Sequence, residues 1–79
     1  MGDFKTLTEL RPGESGKVIE IRGGFGLAGH LESLGVRVGK RVTKVSAQLW
    51  RGPQVIKIDN RQIALGFGMS KRVLVEAGE

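Results

Sequence analysis

Apolar residues in this chain come in short blocks, each closed by glycine or proline. Between Lys17 and Arg22, Ile19 and Ile21 alternate with Val18, Glu20 and Arg22. That is the period-two rhythm of a half-buried strand, and Gly23-Gly24 ends it. Leu27, Leu31 and Leu34 then recur at i, i+4 and i+7, one face of a short helix. Gly35 stands where a left-handed C-cap glycine belongs, followed by an Arg37-Val38-Gly39 link. From Arg41 to Leu49, Thr43, Val45, Ala47 and Leu49 are in phase while Val42 is not, which predicts a strand with a bend or bulge. Trp50 to Pro53 reads as a turn, and Gln54 to Ile58 as a strand with Ile56 and Ile58 inward. Asp59-Asn60 is a tight hairpin turn, because both residue types tolerate positive φ. Arg61 to Leu65 returns as a strand, Gly66 to Ser70 turns, and Arg72 to Glu76 forms the last strand.

Ahead of these blocks, Thr6 and Glu9 have the spacing of a helix capping box. Leu7 and Leu10 then share one side of a single helical turn. Pro12-Gly13 closes it as a type II turn, with proline fixing φ near −65° and Gly13 at positive φ. The sum is about five short antiparallel strands with one short helix after the first of them. Strands this short avoid open edges best by curling into a partly open barrel. The expectation is a mainly β, SH3-like small barrel forming a single domain over residues 1–79.

Composition narrows the chemistry. The 79 residues contain no Cys and one His, so disulfides, thiolate metal sites and cysteine nucleophiles are excluded. A zinc site would depend on carboxylates almost alone, which zinc rarely accepts. No stretch approaches the ~20 apolar residues of a membrane span, and the first residues lack the apolar core of a secretory signal. Both features point to the cytoplasm. Charge is uneven: the chain is +5 overall, but residues 37–72 carry nine Lys or Arg against Asp59 alone. Such a section attracts anionic partners.

Gly24-Phe25-Gly26-Leu27-Ala28-Gly29 spells G-x-G-x-x-G between a strand and a helix. A dinucleotide cradle would also need an acidic ribose ligand about 20 residues on. Ser33 to Ile58 contains no Asp or Glu, and there is no second crossover helix. The glycines are therefore read as a tight strand-to-helix turn, and no cofactor is expected. His30 has no second histidine and no suitably spaced carboxylate, so no metal site is expected. The serines lie in no nucleophile motif and no carboxylate pair is suggested by spacing, so no catalytic residue is assigned and the chain is not read as an enzyme.

Candidate contact residues remain. Trp50 with Arg51, in a turn, has the composition of an interface anchor; alternatively Trp50 plugs the open end of the barrel. On the helix, Ala28 and Glu32 lie beside the leucine stripe and face outward. The basic run Arg37, Lys40, Arg41 and Lys44 suits phosphates or an acidic surface, although charge runs are more often solvated faces. Single-strand nucleic-acid readers interleave aromatics with basic residues, and this chain has four aromatics and no Tyr.

Taken together, Thr6-Leu7-Thr8-Glu9-Leu10-Arg11-Pro12-Gly13-Glu14-Ser15-Gly16-Lys17-Val18 resembles the opening of FeoA proteins. The likeness continues through Leu31-Glu32-Ser33-Leu34-Gly35-Val36-Arg37-Val38-Gly39, the turn from Trp50 to Pro53, Ile63-Ala64-Leu65-Gly66 and the last strand, spanning residues 6–76. The resemblance implies an SH3-like barrel and an accessory role in bacterial ferrous iron uptake. The implied partner is the cytoplasmic, GTP-binding part of the FeoB membrane transporter, with no catalytic residues to carry over and no membrane insertion. The same domain also ends iron-dependent repressors, but this chain has no room for a DNA-binding domain, so no DNA partner is expected. The alternative is a nucleic-acid-binding barrel, since Gly16-Lys17-Val18 to Gly23-Gly24 is loosely similar to KOW-type segments; RNA is the less favoured partner.

Overall fold

A computed structural model describes residues 2–47 and 52–78. The described elements are β1 (Asp3–Thr6), a 3-10 turn (Leu7–Glu9), β2 (Ser15–Ile21), α1 (Phe25–Ser33), β3 (Arg41–Ala47), β4 (Gln54–Ile58), β5 (Arg61–Leu65), α2 (Phe67–Ser70) and β6 (Val73–Ala77). The strands form one antiparallel sheet in the order β1-β6-β2-β3-β4-β5. Placing the last strand between the first two ties the chain's ends together.

Six strands stand where five are predicted, so the helix follows the second strand rather than the first. The additional strand is β1, which pairs with β6 from Asp3 opposite Ala77 to Thr6 opposite Leu74. Its sequence shows no alternation because it is an edge strand with an exposed Phe4. Edge pairing, not burial of side chains, makes it a strand. The segment Phe67–Ser70, read as a turn, is instead one helical turn in which the buried Ser70 hydroxyl donates to the Gly66 carbonyl at 2.9 Å.

Two β-bulges correct the phase of the strands. In β2, Val18 lies opposite Val75 but Glu20 lies opposite Leu74, leaving Ile19 as the extra residue. Val18 is therefore fully buried, and the shift lets Ile21 also pack against the core. Simple alternation instead places Ile19 and Ile21 together and Val18 outside. In β3 the extra residue is Val45, between Lys44 opposite Ile56 and Ser46 opposite Val55. Val42 and Lys44 face inward as a result, while Val45 is exposed. A bulge adds a residue and bends the strand, so the period-two rule breaks at that point. These bends curl the sheet around one core.

That core is built from Leu7, Leu10, Val18, Leu31, Val36, Val42, Ile56, Ile58, Leu65, Val73, Val75 and Ala77. Leu31 is the one fully buried residue of α1; Leu27 and Leu34 pack at its margin. The helix ends in a Schellman motif. The Val36 N–H donates to the Leu31 carbonyl and the Gly35 N–H to the Glu32 carbonyl, both at 2.9 Å, with Gly35 at φ +96°. Leu31 and Val36 are both buried, the apolar contact that accompanies this cap. Gly13 also has positive φ (+91°), and the Glu14 N–H closes the turn onto the Arg11 carbonyl at 2.8 Å. Asp59 and Asn60 are at φ 51° and 67°, as a two-residue hairpin between β4 and β5 requires. No helix among the described residues is long and apolar enough to cross a membrane.

Candidate functional site

The glycine-rich segment after β2 is a strand-to-helix turn. Gly23 takes the left-handed conformation (φ +129°), and Gly24 is the N-cap of α1 in ordinary extended geometry. The strands flanking β2 are β6 and β3, both antiparallel to it, so α1 does not cross over between parallel neighbours as a dinucleotide fold demands. His30 is exposed on α1, where its carbonyl accepts from the Ser33 hydroxyl at 2.6 Å. Among the described residues, no three His, Asp or Glu side chains converge where a metal ion would sit.

The structure divides the basic run. Lys44 is fully buried, and its ammonium donates to the Leu10 carbonyl at 2.8 Å and to Gln54 Oε1 at 2.6 Å. It is a strut joining β3 and β4 to the segment after the 3-10 turn, not part of a surface for phosphates. The β3 bulge turned it inward. Burial pushes its pKa below the usual lysine range, against a smaller opposing effect of the Glu14 carboxylate. Lys40 is half-buried and donates to Asp59 Oδ2 at 2.7 Å. That bond is the main reason the Asp59 carboxyl is held below its usual range. Arg37 and Arg41 are exposed, and Arg41 lies opposite Lys17 on the neighbouring strand. Of four residues expected to act together, two are exposed, one is paired with Asp59 and one is internal.

Ala28 and Glu32 lie one turn apart on α1, the first half-buried and the second exposed. Ala28 helps line a cleft of about 320 Å³ together with Ile21, Gly23, Gly24 and Phe25. Phe25 is 98% exposed, so the cleft has a free aromatic ring at its lip. Trp50 and Arg51 lie outside the described residues.

Phe25 and Ile21 line this cleft, and pattern reading missed both as candidates. The signal for Phe25 was present: it precedes Leu27 by two positions, about 200° around a helix at 100° per residue, so it falls off the leucine stripe. Ile21 packs against the core as its alternation predicts, and no signal in the sequence marks that it also borders the cleft. Arg61 was also missed. It reaches from β5 to donate through Nη2 to the Leu34 carbonyl at 2.7 Å, capping the carbonyl end of α1 with a cation.

The chain matches the FeoA domain family over residues 5–77. It is 30% identical over 73 residues to an Fe(2+) transport protein A of Methanocaldococcus jannaschii, covering 92% of this chain and 87% of the relative. Its fold superposes on the crystal structure of an iron uptake regulatory protein, FeoA, with a TM-score of 0.90 and 29% identity, over 96% of this chain and all of the other. Stenotrophomonas maltophilia FeoA complexed with zinc, an SH3 domain protein, matches with a TM-score of 0.75 and 27% identity over 90% of this chain and 88% of that one. The bulged six-stranded sheet is thus an SH3-like fold, and with the family matched from β1 to β6 the chain belongs to the FeoA family.

Proposed function

We propose that this chain is a cytoplasmic accessory protein of ferrous iron uptake that acts by protein–protein contact with the cytoplasmic, GTP-binding region of a FeoB-type transporter. It performs no chemistry of its own. The observation that carries this reading is the family match across residues 5–77, joined to an apolar cleft with an exposed aromatic residue beside it. Exposed aromatics beside concave apolar surface are typical of interface anchors.

The geometry weighs against the nucleic-acid reading. A phosphate-binding face needs free cations in a row, and here Lys44 is internal and Lys40 is neutralised by Asp59. The test is co-purification of the tagged chain with detergent-solubilised FeoB from cells producing both. A stable complex supports the reading. Recovery of RNA in its place, released steeply by salt, contradicts it.

A further inference from the structure

The geometry points to the Phe25 cleft as the seat of an acidic partner segment carrying an apolar anchor side chain, a reading that rests on the protein-contact role proposed above. The walls are apolar: Ile21 from the end of β2, Ala28 from α1 and the Phe25 ring at the lip. A Cβ added at Gly24 or Gly26 would meet no neighbouring atom, so the backbone there is open to an incoming chain. A concave apolar site accepts an inserted side chain, whereas a single protruding ring is little to hold a flat lipid surface.

The charge around the cleft selects the flanks of that segment. Arg22 follows Ile21 directly, and its N–H donates to the Arg72 carbonyl at 2.7 Å, which sets Arg72 beside Arg22 just past the Ile21 wall of the cleft. Arg22 is well exposed and meets Glu20 only at 3.6 Å. Lys71 and Arg72 are exposed and make no ion pair among the described residues. The N-terminus of α1 opens at the same end, with no side-chain cap and no acidic residue in its first turn. Its free N–H groups add positive potential there. Glu32 sits one turn beyond Ala28, at the other end. The site is therefore polarised, positive at Arg22 and Arg72, and it orients a segment whose carboxylates lead toward β2.

The test uses the isotope-labelled full chain and a short synthetic peptide in which a run of Asp and Glu leads into a Leu-Phe pair, against a control with Lys in place of the acidic run. The acidic peptide should shift the amide signals of Ile21, Gly24, Phe25 and Ala28. Phe25→Ala and Arg72→Glu, both at exposed positions, should each weaken it by roughly tenfold or more, and the Lys-flanked peptide should bind less tightly. Shifts elsewhere on the barrel, equal affinity for the two peptides, or no effect of Phe25→Ala would overturn the assignment. So would Phe25-dependent binding to phosphatidylserine vesicles without any peptide binding. Co-purification with FeoB separates the two readings. If Phe25→Ala retains FeoB as well as the native chain does, the cleft assignment fails and the contact role stands. If the native chain never retains FeoB yet the acidic peptide fills the cleft, the contact role fails and the cleft assignment stands.

Discussion

The Lys44 ammonium donates to the side-chain oxygen of Gln54 at 2.6 Å inside the barrel, and both residues are buried. The Leu10 carbonyl takes a second bond from the same ammonium, and Gln54 Nε2 donates to the Gly52 carbonyl at 3.1 Å. Three segments distant in sequence thus share one polar knot, and among the described residues no buried side-chain polar atom lacks a partner.

Replacing Lys44 by Met keeps the unbranched apolar stem, removes the ammonium and orphans two buried acceptors. We expect Lys44→Met to lower stability by about 1–3 kcal/mol, the cost of leaving buried polar groups unsatisfied. Adding Gln54→Leu should recover part of the loss, because one orphaned acceptor is then gone. Urea melts of the single and double variants check this; additive losses would show that the two residues are not coupled.

Two groups tie stability to pH in separate windows. Glu14 is held below the usual carboxylate range first by the Lys5 ammonium at 2.8 Å and next by the Arg11 N–H at 2.9 Å. Its folded pKa is depressed, so its contribution is present above about pH 4.5 and is lost as pH falls through the folded value. Glu14→Gln should therefore flatten the acid limb of the urea midpoint against pH. Lys44 is also depressed, by burial. The unfolded chain holds that proton more tightly, so the contribution of Lys44 rises as pH climbs from its folded value toward about 10.5 and is absent below that folded value. Lys44→Met should lack that alkaline gain relative to the native chain.

At the far end of α1, Gly35→Ala should destabilise by roughly 1–2 kcal/mol, the cost of a left-handed conformation for an L side chain. The new Cβ would also meet the Arg61 guanidinium, displacing it from the Leu34 carbonyl. In an Arg61→Ala background, that second part of the cost disappears, so the double variant should lose less than the two single losses added together. Unchanged stability of Gly35→Ala would contradict the Schellman geometry.

Local chemistry made much of this fold legible before the coordinates. Gly13, Gly35 and Asp59-Asn60 each announce a backbone conformation that few other residues tolerate, and each stands where turn chemistry puts it. The leucine spacing from Leu27 to Leu34 marks α1 for the same reason. What pattern reading missed is non-local. β1 exists because β6 pairs with it, and no rhythm in Asp3-Phe4-Lys5-Thr6 records that. Lys44 is internal because the bulge follows it at Val45, whereas alternation counted from Thr43 sends it to the surface. The candidate site follows the same division. That Ala28 lies off the leucine stripe is legible from the helix spacing, while the approach of Arg72 to Arg22 depends on how β2 and β6 register.

Core packing offers a direct check on the anchoring of the helix. Leu31 is wholly buried and carries α1 onto the sheet. Leu31→Ala should cost about 2–5 kcal/mol, read from the urea midpoint, and should loosen α1 before the sheet in hydrogen exchange. Equal protection of α1 in the variant and native chains would contradict its role as the helix's principal contact.

The measurement that bears most directly on the contact role is a titration of the isotope-labelled chain with the purified cytoplasmic GTP-binding region of its cognate FeoB, followed by amide chemical shifts. The account predicts a saturable complex of one chain per region, with the shifted amides gathered on one face of the barrel and affinity that survives moderate salt. A flat titration in the presence and absence of GTP would contradict it.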